Sequence, residues 1–207
     1  MNAIEKIAQS KIIAVIRLDD LTHAIPLSKA LLEGGINILE FTLTNEKAPQ
    51  AIASVRDALG DSVFVGAGSV VTTEQVIEVA QHGGEFVISP ITKHDVIDTC
   101  HEYQLPTMPG AYTPSEVQSA WERDVAAVKV FPARSLGASY IKDVLAPLPH
   151  LRLIPTGGIG VKNIADFINA GVFAVGIGGA LCNPETIARQ DWTAISNSAE
   201  ALREAIS

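Results

Sequence analysis

The chain has 207 residues, 47% of them hydrophobic and 18% charged, with a formal net charge of −8. That length fits one domain or two small ones, and so much apolar material builds a large core, which excludes a disordered chain. The negative balance argues against a nucleic-acid partner, although a few local donors can still hold an anionic small molecule.

The chain opens on Met1-Asn2-Ala3-Ile4-Glu5-Lys6, which lacks the basic head and apolar core of a secretory leader. Residues 2–9 read as a helix placed ahead of the first strand. Eight short apolar runs follow at intervals of twenty-odd residues: Ile12–Leu18, Ile38–Leu43, Val63–Ser69, Phe86–Pro90, Pro106–Ala111, Ala126–Pro132, Leu151–Thr156 and Phe173–Gly178. Between them the periodicity is helical, with Leu27, Ala30 and Leu31 on one face and Val76, Val79 and Ala80 on another. Thr72-Thr73-Glu74-Gln75 and Thr113-Pro114-Ser115-Glu116 read as capping boxes. Gly34, Gly60, Gly83 and Gly171 each follow a last periodic residue and mark helix ends.

Strands that alternate with helices, with no Pro/Ser-rich linker between them, predict one domain over residues 1–207. The architecture expected is a closed (β/α)8 TIM barrel with an extra N-terminal helix at its bottom. An open doubly wound sheet fits less well, because Arg17-Leu18-Asp19-Asp20 follows the first strand where that fold carries a glycine-rich turn. The longest apolar run, Val172 to Cys182, is too short to span a bilayer. Cys100 and Cys182 form no CxxC pair, so they read as reduced thiols of a cytoplasmic protein.

In a barrel the chemistry sits where strands end. The sixth run, Ala126-Ala127-Val128-Lys129-Val130-Phe131-Pro132, carries the one lysine of eight placed inside a strand. Burying an ammonium is costly, and a neutral amine is a nucleophile toward carbonyl carbon. Lys129 therefore reads either as an imine-forming amine or as a lysine that snorkels to water. In the second run Ile38, Glu40 and Thr42 share one face. If that face is interior, Glu40 approaches Lys129 and the two form a proton-transfer pair; otherwise Glu40 packs outward on a helix.

Gly157-Gly158 and Gly178-Gly179 close the seventh and eighth runs. Loops there that open onto helix N-termini cradle phosphate in this fold, or else are simply tight turns. His23, His82, His94, His101 and His150 show no metal-ligand spacing, so neither metal nor cofactor is expected.

These phrases together resemble one family, the 2-keto-3-deoxy-6-phosphogluconate (KDPG) aldolases that also act as 4-hydroxy-2-oxoglutarate (KHG) aldolases. The resemblance rests on Leu39-Glu40-Phe41-Thr42-Leu43, Val65-Gly66-Ala67-Gly68-Ser69-Val70, Ile88-Ser89-Pro90, Met108-Pro109-Gly110, Lys129-Val130-Phe131-Pro132-Ala133 and Pro155-Thr156-Gly157-Gly158-Ile159, in order and over nearly the whole chain. It implies a class I aldolase, usually a homotrimer, acting on a phosphorylated keto-deoxy sugar acid and pyruvate. By the same resemblance Lys129 is the Schiff-base lysine and Glu40 the general acid/base. Ser69 and Pro90 contact the pyruvyl carboxylate, Phe131 lines the substrate site, Thr156 reads C4, and Gly157, Gly158, Gly178 and Gly179 hold phosphate. Thr44 stands where many members have arginine, and Arg17 resembles a second arginine, which either supplies the missing cation or forms a salt bridge with Asp19 or Asp20. Ala180 and Ile91 also depart from the usual serine and glycine. Two readings from other classes compete with the aldolase: a phosphate-handling isomerase using Glu40 without covalency, and a non-catalytic barrel that binds a phosphorylated metabolite.

Overall fold

The computed structural model describes residues 3–207. Its elements run in chain order. Helix α1 (Ala3–Ser10) precedes strand β1 (Ile12–Ile16), followed by α2 (Ala24–Glu33), β2 (Ile38–Thr42), α3 (Ala48–Leu59), β3 (Phe64–Gly68) and α4 (Thr73–Gln81). Then come β4 (Val87–Ile88), α5 (His94–Glu102), β5 (Thr107–Met108), β6 (Gly110–Ala111), α6 (Pro114–Trp121), β7 (Val128–Val130) and α7 (Gly137–Leu145). The chain ends with β8 (Leu153–Pro155), α8 (Ile164–Asn169), β9 (Val175–Ile177), α9 (Pro184–Ala188) and α10 (Trp192–Glu204). Short 3-10 turns occupy Gly60–Ser62 and Ala133–Ser135.

The strand pairs are parallel, in two ladders ordered β5-β4-β3-β2-β1-β9 and β6-β7-β8. Only Pro109 separates β5 from β6. A parallel bridge between Thr156 and Gly176 joins the β8 end to β9. The result is a barrel-like α/β fold. Strands buried on both faces read as unbroken apolar runs, which is why each run carries its strand. The strands are shorter than the runs. The fifth run is broken where Pro109, which has no N–H, cannot donate to the ladder.

Two apolar clusters result. The larger lies between strands and helices: Leu27 and Leu31 of α2, Val76 and Val79 of α4 and Phe41 of β2 are fully buried there. The smaller is interior. Ile13, Ile38, Phe64, Ile88, Met108 and Ile154, one from each of six strands, meet Ile7 of α1. Burying an Ile side chain is worth about 1.5–3 kcal/mol, so α1 is tied to the strand interior. The expected N-terminal helix is there from Ala3 onward; Asn2 lies outside the described residues.

Both capping boxes form: Thr72 accepts from Gln75 N–H and Thr113 from Glu116 N–H, with the return bonds made. No helix among the described residues is long and apolar enough to cross a membrane.

Candidate active site

Strand alternation turns Glu40 and Thr42 of β2 inward, where they are 1% and 2% exposed. From β7, Lys129 points into the same interior at 4% exposure. Lys129 Nζ lies 3.6 Å from Glu40 Oε1 and 5.2 Å from the centroid of the Phe131 ring. Glu40 Oε1 is fully buried and accepts no hydrogen bond. A buried carboxylate oxygen left open in this way is costly, and such exceptions concentrate where chemistry is done. The amine and the carboxylate are close enough to attract but do not saturate one another's hydrogen bonding.

Gly68, the last residue of β3, makes that arrangement possible. A Cβ placed there would sit 1.9 Å from Glu40 Oε1. The motif containing Gly68 is legible in the sequence, but its service to Glu40 is not, because it depends on how β2 and β3 pair. Their register sets Glu40 opposite Gly66 and Thr42 opposite Gly68. Ser69 follows Gly68 in the left-handed region at φ 59° and is half-buried. The Pro90 carbonyl packs against Gly110 of β6, whose missing side chain admits it; Gly110 in turn pairs with Lys129.

Beyond Phe131 opens a cavity of about 780 Å³. Phe131, Thr156, Gly157, Gly158, Gly178 and Gly179 line it, and so do Arg17, Arg134 and Ser135. Gly157 and Gly158 hold φ at 104° and 75°, conformations that side chains resist. The two glycine pairs thus share one space with Thr156 and with Phe131, whose ring lies beside Lys129.

Three placements differ from expectation. Neither glycine pair opens directly onto an α-helix. The Asn163 side chain accepts from Gly160 N–H and donates to Gly158 C=O, so the loop completes a turn before α8. Gly178 C=O accepts from the N–H groups of Leu181 and Cys182, well ahead of α9. Arg17 stands on the wall of the distal cavity, which neither Ser69 nor Pro90 lines, and it makes no ion pair with Asp19 or Asp20 among the described residues. Thr44 is exposed, its hydroxyl 2.9 Å from that of Thr42, and it stands outside the cavity. No cluster of three or more His, Cys, Asp or Glu side chains forms a metal-ligand set among the described residues.

An interior lysine–glutamate pair carried on parallel strands, with a glycine-walled cavity beyond Phe131, is an α/β arrangement chemically suited to imine formation. The family description "KDPG and KHG aldolase" matches residues 3–198, and the chain belongs to that aldolase family. It is 37% identical over 166 residues to the 2-dehydro-3-deoxy-phosphogluconate aldolase of Haemophilus influenzae, covering 80% of this chain and 78% of the other. It is 30% identical over 196 residues to the 2-dehydro-3-deoxy-6-phosphogalactonate aldolase of Escherichia coli K12, covering 94% and 96%. Among solved structures it resembles the KDPG aldolase of Legionella pneumophila with pyruvate captured as a covalent carbinolamine. There the TM-score is 0.90 at 30% identity, over 98% of each chain.

Proposed function

We propose that this chain is a class I aldolase, a carbon–carbon lyase that cleaves 2-keto-3-deoxy-6-phosphogluconate or its C4 epimer to pyruvate and glyceraldehyde 3-phosphate. Cleavage of 4-hydroxy-2-oxoglutarate to pyruvate and glyoxylate is a second activity of the same site. The observation that carries the reading is the buried amine of Lys129, 3.6 Å from a carboxylate oxygen of Glu40 that has no hydrogen-bond partner.

The amine of Lys129 adds to the C2 ketone, and Glu40 moves the protons that expel water from the carbinolamine to give an iminium. Glu40 then takes the C4 hydroxyl proton. The C3–C4 bond breaks, its electron pair enters the iminium, and glyceraldehyde 3-phosphate leaves. Protonation of the resulting enamine at C3 and hydrolysis of the imine release pyruvate and free Lys129. One carboxylate serves each step because every proton it takes is later returned. Ser69 and Pro90 are the proposed carboxylate end of the site, and Thr156 faces C4. Gly157, Gly158, Gly178 and Gly179 form its far end, where binding energy holds the reacting bond in place. Neither metal nor organic cofactor enters this scheme.

Borohydride reduction in the presence of pyruvate tests it. Mass spectrometry is expected to find one adduct, on Lys129. No adduct, or one on another lysine, overturns the assignment.

The same reading extends to the whole molecule. The bridge from Thr156 to Gly176, and the single residue between β5 and β6, support a closed (β/α)8 barrel with α1 as its N-terminal plug, one domain over residues 1–207. Two buried free thiols support a cytoplasmic home. Family membership supports a homotrimer, which light scattering on the purified protein checks.

A further inference from the structure

The distal cavity contrasts with the rest of the molecule. The chain carries a net charge of −8, yet no Asp or Glu lines this space, while two arginines do. Neither Arg17 nor Arg134 makes an ion pair among the described residues. They stand on different elements. Arg17 follows β1, beside the strand that delivers Gly178 and Gly179. Arg134 lies in the turn after β7, with its stem laid over Gly158. A Cβ on Gly158 would sit 3.0 Å from Arg134 Cβ and Cγ and 3.2 Å from Nε. Gly158 thus gives the Arg134 side chain its path across the second glycine, and a Cβ there would crowd its stem. Ser135 also lines the space and carries a hydroxyl, whereas Ala180 offers none.

We propose that Arg134 is a specificity-determining residue that clamps a phosphate dianion at the far end of the substrate, with Arg17 as the opposing cation. This deepens the aldolase reading and rests on it for the substrate. A planar guanidinium free of a carboxylate, beside backbone held open by glycine, matches the oxygens of a phosphate. The clamp acts on the aldehyde half of the substrate, the half that departs, and selects terminally phosphorylated sugar acids over unphosphorylated ones.

The test runs the reaction in the synthetic direction, with pyruvate and either D-glyceraldehyde 3-phosphate or D-glyceraldehyde. The preference for the phosphorylated aldehyde, taken as a ratio of kcat/KM values, is expected to fall by about 10- to 100-fold in Arg134→Ala, with Arg134→Lys between the two. An unchanged ratio in Arg134→Ala overturns the proposal. A second measurement does not need catalysis. Titration of the protein with inorganic phosphate, followed by phosphorus NMR, is expected to show binding that weakens by a similar factor in Arg134→Ala; equal binding by both proteins also overturns it. Pyruvate trapping on the unaltered enzyme separates the two ideas, because a protein that fails to form the imine defeats the aldolase reading, while the phosphate titration still reads the clamp.

Discussion

Gly68 and Glu40 compete for one volume: a methyl group on the first would overlap the carboxylate oxygen of the second, at 1.9 Å. Nothing in the backbone of Gly68 requires glycine, since its φ is not in the left-handed region. The requirement comes from the carboxylate alone. Gly68→Ala is therefore expected to fold and to swing Glu40 away from Lys129. Cleavage should drop by about 100-fold or more, the usual cost of misplacing a reacting group by an ångström. Near-normal turnover with a native circular dichroism spectrum would show that Glu40 need not sit where it does.

Glu40→Gln addresses the same carboxylate by chemistry instead of position. The amide keeps the volume but cannot carry a proton. Exchange of pyruvate methyl protons with deuterated water needs the imine and a base, but no aldehyde. Exchange and cleavage are both expected to fall by on the order of two to four decades. Exchange at the unaltered rate would assign the proton to another group.

Arg17 is expected to serve the phosphorylated end, given the cavity wall it occupies. In Arg17→Ala the KM for the phosphorylated aldol substrate should rise several-fold more than the KM for pyruvate. An equal rise in both would return Arg17 to the pyruvyl carboxylate, the role its likeness to the family's second arginine first implies.

The two thiols should be inert. Burial pushes Cys100 up to about 11 and Cys182 to about 12, from an ordinary value of 9.0. At pH 8 iodoacetamide should leave both unmodified in the native protein and label both in denaturant. The same burial has a consequence for stability. The folded thiols keep their protons after the unfolded ones have lost theirs, so the stabilisation is intact below about pH 9 and declines as pH rises toward 12. Rapid labelling of Cys182 in the native state, on the wall of the distal cavity, would contradict this.

Much of this was legible in the residues. Parallel strands covered on both faces leave apolar runs that periodicity detects, and the threonine caps of α4 and α6 announce themselves by their partners three positions on. Alternation put Ile38, Glu40 and Thr42 on one face but not which face is interior, and Lys129 was marked by being a lone amine in an apolar run. What stayed hidden depends on neighbours distant in sequence. That Gly68 yields its space to Glu40 needs the β2–β3 register, and that Gly158 carries Arg134 needs the turn after β7 laid against the loop after β8. The place of Arg17 followed from β1 pairing with β9, a contact between the first and last strands. Strand lengths were overread because an apolar run does not say where its ladder stops.

The packing of α10 on α2 has a bearing on how the molecule is made. A Cβ on Gly34 would meet Ala199 Cβ at 2.5 Å and the Ser196 carbonyl at 2.4 Å, so the two helices touch backbone to backbone. Arg203 also bonds the Ser10 carbonyl beside β1. The cover of the first βα unit is thus synthesised long after the unit itself, since α10 lies far downstream of α2. Until α10 arrives, the nascent chain must keep the apolar flank of α2 from other molecules, and the docking of the two helices is a long-range closure of the kind that slows folding. Residue 34 is consequently where a larger side chain would damage the yield of folded protein more than the chemistry of the protein that does fold.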